Sequence, residues 1–168
     1  MTPAALLLAL VTLERLAELW LARRNTKALI AAGAVEFAPG HYPLIVLLHA
    51  FWLTGLWLLG WNHPMSTVWL VIFLMLQILR VWVLATLGAR WTTRIIVQPG
   101  VALVARGPYR WISHPNYLVV IGEIAVLPLC LGLPWYALMF SVANAAVLTI
   151  RIRAENAALA ELRHLGQS

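Results

Sequence analysis

The chain has 168 residues, of which 62% are hydrophobic and only 11% charged, and its formal charge is +6. A soluble domain of this length could not bury so much apolar surface, so the composition predicts an integral membrane protein. The basic residues are scattered between apolar runs rather than gathered on one face, which excludes a nucleic-acid-binding surface. The single cysteine, Cys130, excludes an intrachain disulfide and a cysteine-based metal cage.

Five apolar runs predict about five transmembrane helices. They cover about residues 3–21, 42–60, 66–87, 117–131 and 134–150. The first three are close to the ~20 residues that a helix needs to cross the hydrocarbon. The last two are shorter and are joined by a turn around Gly132 and Pro134, so we expect them to form a short helical hairpin.

Two polar segments complete the predicted layout. Residues 88–116 form a long loop between the third and fourth helices, and residues 151–165 form a tail. In the tail, Ile152, Leu159 and Leu162 fall on one face, so the pattern predicts a C-terminal amphipathic cytoplasmic helix. The sequence therefore predicts a single all-α membrane domain over residues 1–168, without repeats or flexible linkers.

The distribution of positive charge predicts the orientation in the membrane. Alternating helices place ten of the twelve Lys and Arg residues on one side: Arg23, Arg24, Lys27, Arg90, Arg94, Arg106, Arg110, Arg151, Arg153 and Arg163. The connections on the other side, residues 61–65 and 132–133, carry none. Because cytoplasmic loops are enriched in Lys and Arg, we expect the N-terminus outside and the long loop and tail in the cytoplasm.

Four charged residues inside the apolar runs stand out: Glu14, Glu18, Arg80 and Glu123. Arg80 and Glu123 lie at matching depth, so we favour an interhelical ion pair that fixes packing over a catalytic role. Glu14 and Glu18 lie one helical turn apart and are expected to pair with Arg15 or to extend to the interface. Alternatively, one of these groups lines a polar cavity open to the cytoplasm.

The densest cluster of charges, rings and turn residues runs from Arg106 to Tyr117, directly before the fourth apolar run. A Gly-Pro turn, two arginines and a His-Pro step at a membrane surface are costly to keep unless they bind something. His114 before Pro115 is also a common way to start a helix, and Trp111 suits interfacial anchoring as well as a pocket. The residues themselves indicate a binding site without identifying its ligand.

The pattern Gly-x-Tyr-x-Trp-x-x-His-Pro-x-Tyr from Gly107 to Tyr117, followed after one hairpin by Arg151 and Glu155 in Arg-x-x-x-Glu, resembles the isoprenylcysteine carboxyl methyltransferase family. The resemblance implies an integral membrane methyltransferase that uses S-adenosylmethionine without a Rossmann domain. A bacterial subgroup, which is associated with type III polyketide synthases and methylates alkylpyrones, is similar in finer detail. The segments that carry this likeness are 24–25, 33–36, 40–43 and 90–94.

The resemblance also implies the residues of the site. Arg151 would be the catalytic residue that clamps an anionic substrate, and Glu155 would hold the amino-acid end of the cofactor. Arg94 falls near a polar position that contacts the cofactor. The other cofactor-binding residues would be Val101, Ala102, Leu103 and Val104 through their backbone, Tyr109 by packing, and His114, Pro115, Asn116 and Tyr117 as the pocket wall. Family members often have a second Glu where this chain has Asn156.

The resemblance implies methylation of a lipophilic acceptor, either an isoprenylcysteine-type carboxylate or an alkylpyrone-type enol, and Arg151 favours O-methylation. Methyl transfer is an in-line displacement, so the protein mainly has to position the two reactants and exclude water. The planar guanidinium of Arg151 suits an oxyanion, and aromatic rings such as Tyr109 suit a sulfonium. The acceptor, a lipophilic small molecule or prenylated substrate, would enter from among the membrane lipids.

Three other functions stay open as alternatives: a phospholipid N-methyltransferase, a sterol-reductase-like NADPH enzyme and a non-catalytic membrane binding protein. Sterol reductases share the His-Pro-x-Tyr region but have more transmembrane helices, and this chain has no Gly-rich dinucleotide fingerprint. His41, His49, His63 and His114 give no ligand motif on one helix, so no metal site is expected. Residue types alone neither rank the acceptors nor give the oligomeric state.

Overall fold

The computed structural model describes residues 1–98, 100–102 and 104–165, with the backbone alone for residue 41 and residues 158–165. Its main elements are five helices: α1 (Pro3–Ala31), α2 (Tyr42–Gly60), α3 (Thr67–Leu87), α4 (Pro115–Cys130) and α5 (Pro134–Leu165). Three short 3-10 turns and two three-residue strands lie in the connections. The prediction of an all-α membrane protein is confirmed.

The helix ends follow local rules of sequence. The Thr2 hydroxyl caps α1 by accepting from the Ala5 amide at 3.1 Å, and Pro3 occupies the first turn, where no amide donor is needed. Pro115 and Pro134 begin α4 and α5 in the same way. Gly132, with φ +70°, makes the turn between those two helices, a conformation that residues with a side chain avoid.

Three of the described helices are long and apolar enough to cross a membrane: Tyr42–Gly60, the segment Thr67–Arg90 and the segment Pro134–Ala157. The apolar helix α4 has 16 residues and spans ~24 Å, which is short for a full crossing. The helix α1 is long enough, but its apolar run contains Glu14, Arg15 and Glu18. The number of crossings, five in the prediction, therefore stays a prediction.

The first and last helices are longer than the predicted membrane segments. Helix α1 continues ten residues past position 21 to Ala31, because Arg23, Arg24 and Lys27 are good helix formers and do not end a helix. The predicted tail helix is the uninterrupted end of α5 rather than a separate element. Of the tail's expected apolar stripe, the side chains at 159 and 162 lie outside the described residues.

A small antiparallel sheet joins two of the connections. Strand β1 (Val35–Phe37) follows α1, strand β2 (Ile95–Val97) lies in the long loop, and Val35 pairs with Val97 while Phe37 pairs with Ile95. No strand was expected here, because three-residue strands leave almost no periodic signal in a sequence. The sheet ties the loop after α1 to the loop after α3.

The apolar core packs all five helices together toward the end of the bundle with the short turns, with Phe140 as the contribution of α5. Leu8, Leu56, Leu127 and Leu131 are fully buried there. At this end, the Ser66 amide donates to the Cys130 carbonyl at 2.9 Å, so the two short turns are bonded to each other. The long connections, with the small sheet, lie at the opposite end.

A buried ionic cluster ties α1, α3 and α4 together deeper in the bundle. Arg80, 3% exposed, donates to Glu123 Oε1 at 2.7 Å and to Glu18 Oε1 at 2.9 Å, and it makes a second bond to the other Glu123 oxygen. Arg15 lies 3.1 Å from Glu14 and 3.0 Å from Glu18. The expected ion pair between Arg80 and Glu123 is confirmed, and so is the pairing of Glu14 and Glu18 with Arg15.

Replacing Glu123 with Gln should destabilise the protein strongly. Gln keeps the size of the side chain but removes a charge that the buried Arg80 needs, and breaking a buried pair costs about 3 kcal/mol. Glu14→Gln is the matched control, because Glu14 is 31% exposed and lies 4.0 Å from Arg80 Nε. We expect a loss under about 1 kcal/mol for the control, measured by thermal unfolding in detergent. Equal effects for the two variants would contradict the role of Glu123.

Candidate functional site

A cavity of about 310 Å³ with a mixed polar and apolar lining, called the polar cavity below, lies at the end of the bundle that carries the long connections. It is lined by the long loop, the start of α4 and the last part of α5, with Leu29 of α1 and Leu87 of α3. Ten of the twelve residues predicted for the site line it: Arg94, Val101, Ala102, Val104, Tyr109, His114, Asn116, Tyr117, Arg151 and Glu155. Pro115 is buried as the first residue of α4 instead, and Leu103 lies outside the described residues.

The long loop is folded onto the end of α3 by a close approach at Gly107. Gly107 has φ +59°, and a Cβ placed there would lie 2.4 Å from the Thr86 hydroxyl oxygen, so only glycine fits without a shift. The 3-10 turn that follows, Gly107–Arg110, buries Pro108 and carries Tyr109 into the cavity wall. This packing places the predicted motif on a fixed surface.

The start of α4 brings two predicted rings together. Pro115 opens the helix, so that His114 is its cap residue and Tyr117 lies within the first turn. The rings of His114 and Tyr117 stack with their centroids 5.0 Å apart and their planes within 14° of parallel. His114 therefore both begins the helix and lines the cavity, so the helix-start and the pocket-wall interpretations of this residue hold together.

The charged centre of the cavity is a chain of three side chains. The Tyr117 hydroxyl donates to Glu155 Oε2 and accepts from Arg151 Nε at 2.9 Å. Arg151 and Glu155 lie one turn apart on α5, and Tyr117 reaches both of them from α4. The phenol thus lets a buried guanidinium and a carboxylate share one hydroxyl group without direct contact.

Backbone bonds fix the walls around this centre. Arg151 Nη1 donates to the Thr93 carbonyl at 2.7 Å, and Arg90 Nη1 donates to the Ala102 carbonyl at 2.8 Å. On the side of α1, the buried Asn25 donates from Nδ2 to the Trp91 carbonyl at 2.8 Å and to the Gly88 carbonyl at 3.1 Å. The loop after α3 is therefore held by α1 and α5.

Arg94 lies in the cavity wall, but its guanidinium is already paired with the carboxylate of Glu36. Its Nη1 donates to both carboxylate oxygens of Glu36, at 2.8 and 3.0 Å, and its guanidinium lies 4.5 Å from the centre of the Tyr42 ring. Glu36 belongs to strand β1 and Arg94 directly precedes β2, so the pair strengthens the contact between the strands. A positioning role in the loop explains these contacts.

Tyr109 remains neutral at physiological pH. Burial, and then the nearby Glu155 carboxylate, raise its pKa to about 12. A phenol with this pKa does not take up a proton as a phenolate base near pH 7. Its ring and hydroxyl therefore serve contact and hydrogen bonding.

A second, mainly apolar cavity of about 420 Å³ lies next to the first, deeper in the bundle. Its walls come from all five helices and from loop residues 91–93, with apolar residues such as Leu19, Leu53 and Leu148. Arg15, Glu18 and Arg80 of the ionic cluster also line it. The two cavities share five lining residues: Trp91, Thr92, Asn116, Tyr117 and Arg151. The chain Arg151–Tyr117–Glu155 therefore borders both a polar and an apolar space.

Several residues of this site have no role in the sequence-based prediction. Trp91 and Thr92 line both cavities, and Asn25 fixes Trp91 from α1. The sequence did contain a sign of these residues, because the segments 24–25 and 90–94 are among those that resemble the bacterial subgroup. Asn156, the departure from the family pattern, is exposed and is absent from the described linings of both cavities.

Comparison with known proteins gives one family and two relatives. The model of the isoprenylcysteine carboxyl methyltransferase (ICMT) family matches residues 69–161, a stretch that includes α4 and most of both cavities' polar residues. The uncharacterized protein YpbQ of Bacillus subtilis is 44% identical over 161 residues, covering 93% of this chain and 96% of YpbQ. An uncharacterized protein of Haemophilus influenzae is 27% identical over 146 residues, covering 83% and 84% of the two chains. No solved structure matches.

Proposed function

The chain belongs to the isoprenylcysteine carboxyl methyltransferase family, and on this basis we propose that it is an S-adenosylmethionine-dependent O-methyltransferase of a lipophilic acceptor. Family membership implies a membrane methyltransferase. One observation carries the finer proposal: a polar and an apolar cavity meet at Arg151 and Tyr117. A polar cofactor and a lipid-soluble acceptor need separate spaces with a common border, where the methyl group is exchanged.

The polar cavity has the groups that S-adenosylmethionine requires. The Glu155 carboxylate suits the cofactor's ammonium group, and the rings of Tyr109 and Tyr117 suit a sulfonium. Asn116 Oδ1 is buried without a hydrogen-bond partner among the described residues, so it needs an N–H or O–H donor, and the cofactor carries several. The volume, about 310 Å³, lies in the range of small-molecule sites.

The chemistry requires little from the protein besides placement. Bound S-adenosylmethionine supplies a sulfonium methyl, which the acceptor oxygen takes while the carbon–sulfur bond breaks and its electron pair stays on sulfur. Arg151 holds the acceptor's oxyanion, and the apolar cavity keeps water from the reacting atoms. A carboxylate or acidic enol is already ionised at neutral pH, so no side chain has to remove a proton.

Arg151 also supports an anionic acceptor over a lipid amine. The buried guanidinium borders both cavities, and a protonated phospholipid amine there would meet a like charge. An oxyanion would instead gain a charge-assisted hydrogen bond. This is the reason for proposing O-methylation rather than N-methylation.

The acceptor's tail would enter between α1 and α2. Leu16 of α1 and Val46 of α2 line the apolar cavity and are 58% and 36% exposed, so the cavity reaches the surface between these helices. Ala50, also exposed, lies one turn further along α2 in the same lining. We propose this gap as the lateral portal through which a lipid-soluble molecule leaves the bilayer.

We propose that the site faces the cytoplasm. The end of the bundle that carries the site also carries Arg90, Arg94 and Arg151, whereas the turns at the opposite end contain no Lys or Arg. Positive charge favours the cytoplasmic side. S-adenosylmethionine is polar and would reach the site from that side.

Wild-type protein purified in detergent should bind labelled S-adenosylmethionine saturably and transfer its methyl group to an acceptor. The acceptor panel comprises a farnesyl-cysteine analogue, an alkylpyrone and phosphatidylethanolamine. Glu155→Gln should weaken cofactor binding by about tenfold or more, because the variant loses a charged partner of the ammonium group. Asn156→Ala, the exposed neighbour on the same helix, is the control and should bind like the wild type.

This experiment separates the competing functions. Absence of saturable S-adenosylmethionine binding by folded wild-type protein would overturn the methyltransferase proposal. Binding together with methyl transfer only to phosphatidylethanolamine would replace O-methylation by N-methylation.

Filling the portal should slow transfer to long-tailed acceptors. Ala50→Trp places an indole in the cavity lining, while Leu47→Trp places it on an exposed face of α2 outside the lining. With a long-chain alkylpyrone, we expect kcat/KM to fall about tenfold for Ala50→Trp, because about two methylenes of tail burial would be lost. The Leu47→Trp variant and cofactor affinity should remain near wild type. An unchanged kcat/KM for Ala50→Trp would place the tail elsewhere.

The orientation can be tested with introduced cysteines. Asn62→Cys lies in the exposed turn between α2 and α3, and Ala105→Cys lies exposed in the long loop. In intact cells, a membrane-impermeant maleimide should label Asn62→Cys and should label Ala105→Cys only after permeabilisation. The wild type, whose Cys130 is buried, gives the background. The reverse labelling pattern would contradict a cytoplasmic site.

A further inference from the structure

The unpaired polar atoms of the described structure gather at one place. Three buried side-chain atoms lack a hydrogen-bond partner among the described residues: Arg15 Nε, Trp91 Nε1 and Asn116 Oδ1. All three residues line the apolar cavity, and Trp91 and Asn116 also line the polar one. Buried polar groups are rarely left unpaired in folded proteins, so their concentration at a cavity indicates groups that a ligand completes.

The indole of Trp91 is held in place at the border of the two cavities. Trp91 is 3% exposed, and its carbonyl accepts from the buried Asn25 side chain at 2.8 Å. Two residues later, the Thr93 carbonyl accepts from Arg151 at 2.7 Å. These bonds fix the segment of the loop backbone that carries the buried ring.

Arg151 has one nitrogen left for a ligand. Its Nε donates to Tyr117 and its Nη1 donates to Thr93, so Nη2 has no hydrogen-bond partner within the described part of the chain. Arg151 Nη2 and the buried Trp91 Nε1 are therefore two unpaired donors in the described structure, one on a cation and one neutral, on residues at the border of the cavities. Both belong to residues that line the same two spaces.

We infer that Trp91 is a second hydrogen-bond donor of the acceptor site, where its indole N–H and Arg151 Nη2 hold two oxygens of one acceptor head. This assignment rests on the proposed function and uses a feature that both of its acceptor classes share, two conjugated oxygens in a carboxylate or a 3-oxo enolate. Holding both oxygens fixes the plane of the head, so that one oxygen is aimed at the transferred methyl. An amine head would leave both donors unpaired.

The direct test follows the indole N–H signals of tryptophan by NMR in detergent micelles. The Trp91 signal is assigned by its loss in Trp91→Phe, and S-adenosylhomocysteine is present throughout so that no turnover occurs. We expect a downfield proton shift of the Trp91 signal on titration with a 4-hydroxy-6-alkyl-2-pyrone or with decanoate. Decylamine, which has a tail of the same length as decanoate and no oxygen, should leave the signal in place.

A kinetic test uses two variants of Trp91 and a control in the same loop. Trp91→Phe keeps a ring without a donor and should lower kcat/KM for the pyrone about tenfold, while the Kd of S-adenosylmethionine stays within about twofold. Trp91→His, which restores an N–H, should recover part of the loss. Trp111→Phe is the control, because Trp111 is 69% exposed.

The possible outcomes distinguish this inference from the function on which it rests. A spectrum recorded before S-adenosylhomocysteine is added serves as the reference: a Trp91 signal that moves on that addition and not with either acceptor would assign the donor to the cofactor and overturn the inference. The same follows if Trp91→Phe weakens cofactor binding as much as it lowers kcat/KM, or leaves kcat/KM unchanged. Failure of the wild type to bind S-adenosylmethionine would instead overturn the proposed function. If the variants do not fold, the wild-type titration decides, with the signal assigned by sequential labelling.

Discussion

The buried guanidinium of Arg80 is the constraint on which the rest of the structure depends. It binds Glu18 of α1 and Glu123 of α4, and lipid offers no water to replace either bond, so the three helices must keep one register. Seven residues toward the long connections from these groups, on the same helix faces, lie Asn25, Asn116 and Leu87. Seven residues are two turns, ~10 Å, so the cluster sets the height of three walls of the site.

The site itself is assembled by side chains that hydrogen-bond to one another and to the backbone of the long loop. Tyr117 uses its hydroxyl on Glu155 and Arg151, and Arg151 uses a second nitrogen on the loop. Asn25 uses both of its donated bonds on the loop after α3, so α1 positions that loop in addition to lining the apolar cavity. The polar groups are thereby held in fixed directions before a ligand arrives, which lowers the cost of ordering them on binding.

The sequence predicted the five helices and ten residues that the structure brings together around the polar cavity, and what it missed has physical causes. The apolar runs and the Pro-initiated helices are local signals, so α2 begins and ends at the predicted residues and the long loop is found where expected. The first helix was predicted to end near residue 21, where the apolar run gives way to charged residues. It continues to Ala31 because Arg and Lys are good helix formers. The partners of Arg94 and Trp91, namely Glu36 and Asn25, are more than fifty residues away, and no spacing rule within one element reports such contacts.

The unbroken length of α5 has a mechanical consequence. The helix runs from Pro134 through its membrane segment to Arg151 and Glu155 without a kink or loop that would absorb movement. A transmembrane helix adjusts to a thicker or thinner bilayer by tilting. Tilting α5 would displace its end against Tyr117 of α4 and Thr93 of the loop, so a change in the thickness of the surrounding membrane would change the geometry of the charged centre.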